Sequence, residues 1–295
     1  MLYFAQKHKG DMGQYSGVFF LNGLVIGSIY ALIALGFNVI YSTTGIINFA
    51  QGEFVMVGGI TTAWTYATLH LPLPLAILIG ILTAALVGLL SYLIGIRPAK
   101  NASPVTYIII TIAISIVLKS AASFAFEVKS YTIPKFVEGS MRVGGGTVDW
   151  QSLLVIPIAA ICMLCLLGFF RYTRAGRNMR ACAESKEGAR LCGISVNTAS
   201  ACSFALSAAL AGVGGVMIAP MFGMQFDGGT MIGLKGFSAA ILGGLISPTG
   251  CVVGGILMGL LEQGMRLISP GYTDILALAV VVLMLLLRPR GLVSK

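Results

Sequence analysis

Apolar residues in this chain come in long unbroken blocks separated by short polar stops, without the alternation of a half-buried strand. The first block, residues 18–41, stops at Ser42, Thr43, Thr44 and Gly45, and the second, 54–69, stops at Pro72 and Pro74. Further blocks cover 75–96, 104–126, 151–170, 199–219, 251–268 and 272–287, with a shorter one at 236–246. A helix needs about 20 residues to cross a hydrocarbon core of about 30 Å, and most of these blocks approach that length. The shorter block, at about 1.5 Å per residue, reaches only about halfway. The pattern predicts an all-α integral membrane protein with about 8–9 transmembrane helices, and the ten-residue alternation of a membrane barrel is missing.

Composition agrees: 57% of the 295 residues are hydrophobic and 10% are charged, far from the balance of a soluble domain. The formal charge of +9 resides beside block ends, with no basic groove or recognition motif, so it reads as membrane topology and excludes nucleic acid as a partner. Residues 1–16 lack the apolar core of a cleavable leader, so the first block is expected to act as an uncleaved insertion signal.

Positive loops stay on the cytoplasmic side. Arg97 with Lys100, the stretch from Arg171 to Gly193, and Arg288, Arg290 and Lys295 are therefore placed inside, whereas the charge-balanced loop 127–150 belongs outside. The expected organisation is a polar N-terminal segment 1–17, a transmembrane domain 18–287 and a cytoplasmic tail 288–295. Within that domain, 127–150 is the extracytoplasmic loop and 171–197 carries a cytoplasmic helix. Counting spans back from a cytoplasmic C-terminus leaves the N-terminus periplasmic, against the pull of Lys7 and Lys9.

The densest charge lies in Arg171–Gly193, with six Arg or Lys against Glu184 and Glu187. From Gly176 to Leu191 it reads as one short helix whose Arg177, Arg180, Glu184 and Glu187 recur at spacings of three and four and share a face. Gly193 is the natural C-terminal stop. Such a helix fits a cleft on a soluble partner, while a solvated loop that merely sets topology is the plainer alternative.

Candidate pathway residues lie near the first break, where Asn48, Gln51 and Glu53 would be tolerated at membrane depth only if protein or water satisfies them. They suggest a cytoplasmic gate, or else a satisfied helix junction with Glu53 at a helix N-terminus. In the first block, Tyr30, Phe37 and Tyr41 fall on one side within about 40°, either as an aromatic lining or as core, and Asn38 follows on the same helix. Glu262 and Arg266, at i and i+4, can neutralise each other. Gly255 and Gly259 form a GxxxG pair for helix packing, and Cys162 and Cys165, inside an apolar block, read as packing residues. Lys119 is expected to snorkel outward.

No G-x-x-x-x-G-K-[ST] occurs, His8 and His70 cannot form H-E-x-x-H, and no acidic cluster is placed to hold Mg²⁺, so the chain is expected to bind no cofactor itself. The energy for any transport must come from elsewhere. A stand-alone channel or secondary transporter using the broken helices remains a rival. An intramembrane enzyme is weaker, because no nucleophile and base occur at usable spacing.

Three blocks resemble the permeases of ABC importers for branched-chain amino acids, the LivH type. They are residues 176–184 with 188–194, residues 21–41 continuing into Gly45-Ile46-Ile47-Asn48-Phe49-Ala50-Gln51-Gly52-Glu53-Phe54, and residues 235–244 with Arg288-Pro289-Arg290-Gly291-Leu292 closing the chain. The resemblance implies a large-type (type II-like) importer permease fold in a bacterial inner membrane, working by alternating access. It implies as partners a second, LivM-type permease, two cytoplasmic ATPase subunits that carry ATP and Mg, and an extracytoplasmic substrate-binding protein. Carried over by position, Glu184, Ser185, Lys186, Glu187, Gly188, Ala189, Gly193 and Ile194, flanked by Arg177 and Arg180, would seat in the ATPase. Urea and short amides are substrates of similar permeases and stay open beside apolar amino acids.

Overall fold

Every apolar block is helical in the computed structural model, which describes residues 2–99, 102–143, 146–268, 270–288 and 291–293. The helices are α1 (Leu2–Thr44), α2 (Gln51–Leu69), α3 (Leu73–Leu90), α4 (Pro104–Ala125), α5 (Trp150–Tyr172), α6 (Arg174–Glu184), α7 (Lys186–Leu191), α8 (Val196–Phe222), α9 (Gly228–Gly243), α10 (Pro248–Ile268) and α11 (Thr273–Leu287). A π-helical stretch, Ser91–Ile96, prolongs α3. Among the described residues, five helices are long and apolar enough to cross a membrane: Gly17–Thr44, Leu73–Ile96, Pro104–Ala125, Trp150–Tyr172 and Val196–Phe222. Residues 127–150 add an antiparallel hairpin, β1 (Ser140–Val143) paired with β2 (Gly146–Asp149).

Four boundaries differ from the sequence expectation, the first being that residues 2–17 run as helix straight into the first span as the start of α1. The short block 236–246 is the end of a longer helix: α9 starts at Gly228, takes in Lys235 and stops at Gly243. Sixteen residues make about 24 Å of helix, still short of a full crossing. The second break falls at 244–247, not 247–250, because Ser247 Oγ accepts the amide of Gly250 at 3.1 Å and Pro248 takes the first position of α10. The tail is no free appendage, since the amides of Leu292 and Val293 donate to the carbonyls of Leu242 and Gly243 at 3.0 and 3.2 Å. Residues 289, 290, 294 and 295 of that tail lie outside the described residues.

Small residues bring the helices together, as expected where lipid offers no hydrophobic drive between them. A Cβ on Gly259 would lie 2.3 Å from the amide nitrogen of Gly27, and one on Gly255 2.4 Å from that of Ala31, so α10 lies directly on α1. Gly58 and Gly212 join α2 to α8 in the same way, with 2.4 Å between the added Cβ and Gly212 Cα.

These contacts also set direction. α1 finishes beside Lys186, whose ammonium donates to the Thr44 carbonyl at 2.6 Å, while Gly17 lies against Val143 of the hairpin. The hairpin end and the α6–α7 end are thus opposite ends of the bundle. The π-helical turn after α3 meets the start of α8 at the α6–α7 end, where Tyr92 Oη donates to Asn197 Oδ1 at 3.4 Å. α2 and α9 both begin at middle depth: Gln51 is bound to Ser207, midway along α8, and the backbones of Gly52 and Gly229 touch.

Candidate functional site

The break before α2 leaves few backbone groups bare. Gly45, at φ 72°, turns the chain, and its amide donates to the Tyr41 carbonyl at 2.7 Å. The amides of Ile46, Phe49 and Ala50 donate to Thr44 Oγ1, Thr111 Oγ1 and Asn48 Oδ1 at 3.1, 3.2 and 3.1 Å. Non-helical backbone survives at this depth because side chains replace the missing helical partners.

Glu53 explains how two helices can start inside the bundle. It sits in the first turn of α2, and its Oε1 accepts Thr230 Oγ1 from the first turn of α9 and Ser115 Oγ from α4, each at 3.0 Å. One buried carboxylate therefore faces the positive N-terminal ends of two helices, where negative charge is stabilised. Lys119, one turn after Ser115 on α4, is half-buried.

Gln51 is equally committed. Ser207 Oγ donates to its Oε1 at 2.9 Å, and its Nε2 donates to the Ser207 carbonyl at 3.3 Å, over Gly36. Asn48, Gln51 and Glu53 are buried and line none of the cavities described below. The geometry is that of a helix junction, with Asn48 Nδ2 and Glu53 Oε2 the buried side-chain atoms there that find no hydrogen-bond partner among the described residues.

The aromatic stripe of α1 separates by environment. Phe37 packs on Phe237, with centroids 5.4 Å apart, and Phe49 packs on the same ring at 5.3 Å. Tyr41 is half-buried. Asn38 Nδ2 donates to the Leu245 carbonyl at 2.8 Å, tying α1 to the turn between α9 and α10. Tyr30 alone of the stripe lines a cavity of about 340 Å³ that opens toward the hairpin end beside Ser130 and Gly223.

Glu262 forms the floor of that cavity and is fully buried. Tyr30 Oη donates to its Oε2 at 2.5 Å, and Lys235 Nζ and Arg266 Nη2 donate to its Oε1 at 3.1 and 2.8 Å. The expected pairing of Glu262 with Arg266 is present, but Tyr30 and Lys235 come from elsewhere in the chain. Asp227 lies at the start of α9 on the cavity wall, and Ile26, Ile29, Ile218, Phe222 and Ile232 supply apolar surface. Lys235 falls just before the short block 236–246, and the sequence pattern gave it no partner, so the cluster was missed. The available signal was a lysine and a glutamate inside apolar helices, which is costly unless the two are paired.

At the opposite end, the single helix expected over Gly176–Leu191 is two. Ser185 is extended (φ −156°, ψ 117°), and its Oγ caps α7 by accepting the Gly188 amide at 3.1 Å. The signal was Ser185 followed by Glu187 in a first turn, a helix start within a helical run. The common face of Arg177, Arg180, Glu184 and Glu187 is therefore interrupted, with Glu187 on the second helix. Gly176 makes the preceding corner: an added Cβ would lie 2.3 Å from the Phe169 carbonyl oxygen. Met179 and Cys182 face inward, and burial pushes the Cys182 thiol above its ordinary value.

Arg177, Arg180, Glu184, Ser185, Lys186, Glu187 and Gly193 are exposed, Gly188 and Ile194 are half-buried, and Ala189 is buried. Ala189 therefore belongs to the attachment of α7, not to a contact with another molecule. Gly193, at φ 76°, ends α7 in a Schellman motif, with Gly193 N donating to the Arg190 carbonyl at 3.0 Å and Ile194 N to that of Ala189 at 2.9 Å. Just before this stop Leu191 stands 91% exposed, the largest exposure of any apolar side chain described. Inward of α6, a cavity of about 740 Å³ is lined by Asn38, Arg171, Arg180 and Glu184.

A multi-pass helical bundle with broken helices, a charged mid-depth cavity and a projecting helix pair at one end is the architecture of a membrane permease. Residues 19–285 match the family described as branched-chain amino acid transport system / permease component, and the chain belongs to that family. It is a multi-pass permease subunit of an ABC importer. The high-affinity branched-chain amino acid transport system permease protein BraD of Pseudomonas aeruginosa is 33% identical over 93% of this chain and 94% of its own length. LivH of Escherichia coli (strain K12) is 32% identical with the same coverage, and the probable LivH of Methanocaldococcus jannaschii is 30% identical over 92% and 91%.

Proposed function

We propose that this chain forms one half of the translocation pathway of an importer for apolar α-amino acids, driven by ATPase subunits that grip α6 and α7. Support for coupling rests on one observation. Lys186, at the start of α7, donates to the Thr44 carbonyl, the last of α1, so displacement of the α6–α7 pair pulls directly on a helix that lines the cavity. The substrate class follows the printed names of BraD and LivH.

The α6–α7 end faces the cytoplasm of an inner membrane in this reading, because Arg97, Arg171, Arg174, Arg177, Arg180, Lys186 and Arg190 gather there. The hairpin and the start of α1 are then periplasmic, and the tail after α11 is cytoplasmic. The second permease, two ATPases carrying ATP and Mg²⁺, and a substrate-binding protein complete the system. Alternating access follows if ATPase closure re-tilts α1 against α8 and α10.

The test is uptake of L-leucine into proteoliposomes holding the assembled importer. Charge reversal at Glu184, or deletion of Glu187 and Gly188, is expected to leave the permease in the membrane and abolish substrate-stimulated ATP hydrolysis. Full stimulation in both would reduce α6–α7 to a loop, and uptake that follows an ion gradient without ATP would favour a secondary transporter.

A further inference from the structure

We infer that a chamber at the start of α5 is an entry site for the carboxylate of an aliphatic α-amino acid, with Gln151 its specificity-determining residue; the choice of an amino acid rests on the importer reading above. The chamber, of about 350 Å³, lies against the hairpin, and its polar walls include Asn22, Lys135, Asp149, Gln151, Ser152 and Gln263. Gln151 is 1% exposed. Its Oε1 accepts the Phe136 amide at 2.8 Å, while its Nε2 finds no hydrogen-bond partner among the described residues. Because a backbone N–H can face only the oxygen of a carboxamide, that bond also fixes which end is Nε2. A buried donor left unpaired is costly, so a clamp on Phe136 accounts for only half of this side chain.

The end of the helix adds a second, independent feature. α5 is 23 residues long, and its first turn meets the chamber at Gln151 and Ser152. Asp149 stands at the N-cap position but makes no side-chain cap hydrogen bond, and its carboxylate pairs with Lys135 Nζ at 2.5 Å instead. The chamber therefore offers a fixed hydrogen-bond donor beside the positive end of a long helix, the combination that receives a carboxylate.

Val25, Ile26, Met221 and Phe222 give the same chamber an apolar wall for an aliphatic side chain. It adjoins the cavity above Glu262 and shares Ile26, Phe222 and Arg266 with it, so a substrate held here by its carboxylate stands at the threshold of that deeper cavity. Urea and short amides carry no carboxylate and gain nothing from the helix end. Leucinamide keeps the aliphatic side chain but replaces the anion by a neutral amide, and so loses the charge-assisted bond.

The experiment uses the assembled importer in proteoliposomes. Gln151→Glu keeps an acceptor for the Phe136 amide and replaces Nε2 by an oxygen that repels a carboxylate. It is expected to lower L-leucine uptake at limiting concentration by roughly tenfold or more, the worth of one hydrogen bond to a charged group. In parallel, with Gln151 in place, an Asn22→Cys variant is labelled with a membrane-impermeant maleimide from the hairpin side. Leucine and isovalerate, which share the carboxylate and the aliphatic body, should slow that labelling, whereas leucinamide and inorganic phosphate at the same concentration should not. Adding Gln151→Glu to the cysteine variant should reverse the order, so that leucinamide protects better than leucine, a change that a purely structural role for Gln151 would not produce. Unchanged uptake and an unchanged order of protection in Gln151→Glu overturn the site, as does protection of the Asn22→Cys variant by leucinamide or phosphate equal to that by leucine. If Gln151→Glu does not assemble, the labelling with Gln151 in place decides alone. If the unmodified importer takes up no leucine while leucine and isovalerate still protect, the importer reading fails and the carboxylate site stands, so the two failures are distinct.

Discussion

Lys186 Nζ and the carbonyl oxygen of Thr44 are 2.6 Å apart across 142 residues of chain, so the first residue of α7 closes the last turn of α1. A cation at a helix C-terminus satisfies carbonyls that have no helical partner and meets the negative end of the helix dipole. The contact joins the exposed helix pair to a transmembrane helix without an intervening loop.

Lys186→Met should cut substrate-stimulated ATP hydrolysis severalfold while costing the fold only about 1 kcal/mol, because the lysine is exposed. Lys186→Arg should retain coupling. Hydrolysis and uptake measured side by side in proteoliposomes check this, and full coupling in the methionine variant would disconnect α7 from α1.

The α1–α10 seam depends on absent side chains. Gly259→Ala is expected to cost roughly 1–3 kcal/mol through overpacking against Gly23 and Gly27. Gly214→Ala should be close to neutral, since its new methyl would meet only Ile33 Cγ1 at 3.8 Å. Thermal melting of the detergent-solubilised permease compares the two, and equal midpoints would refute the difference.

Glu53 joins α2, α4 and α9. Glu53→Ala should destabilise the bundle by roughly 2–4 kcal/mol through two lost hydrogen bonds to a charged group, and Glu53→Gln by less. If thermal stability is unaltered in Glu53→Ala while uptake disappears, the residue acts as a gate instead.

Two cysteines report on the α6–α7 face. Cys192 is exposed and should react promptly with maleimide, becoming protected when an ATPase docks over Leu191. Cys182 is buried and its thiol is pushed up by burial, so its reactive thiolate appears only at higher pH than for an ordinary cysteine. Slow labelling that rises with pH is expected, and labelling of Cys182 as fast as Cys192 near neutrality would show that α6 is not packed as described.

Block length and stop residues were enough to locate the helices, because a hydrocarbon core forces any long apolar run to satisfy its own backbone as helix. Gly45 and Gly193 likewise announce chain reversals, since both positions have positive φ. Sequence resemblance also reached the family. Which face of each helix packs inward was not legible: a helix apolar on all sides carries little periodic signal, and packing follows close approaches such as Gly58 to Gly212. The split at Ser185 had a local signal that a continuous pattern of charges concealed. The cluster of Tyr30, Lys235, Glu262 and Arg266 had almost none, since Tyr30 and Glu262 are 232 positions apart and meet only because glycines let α10 settle onto α1. Sequence alone determined that costly charges lie inside a membrane, and tertiary structure decided that they converge on one cavity, because buried charge is stable only beside its counter-charge.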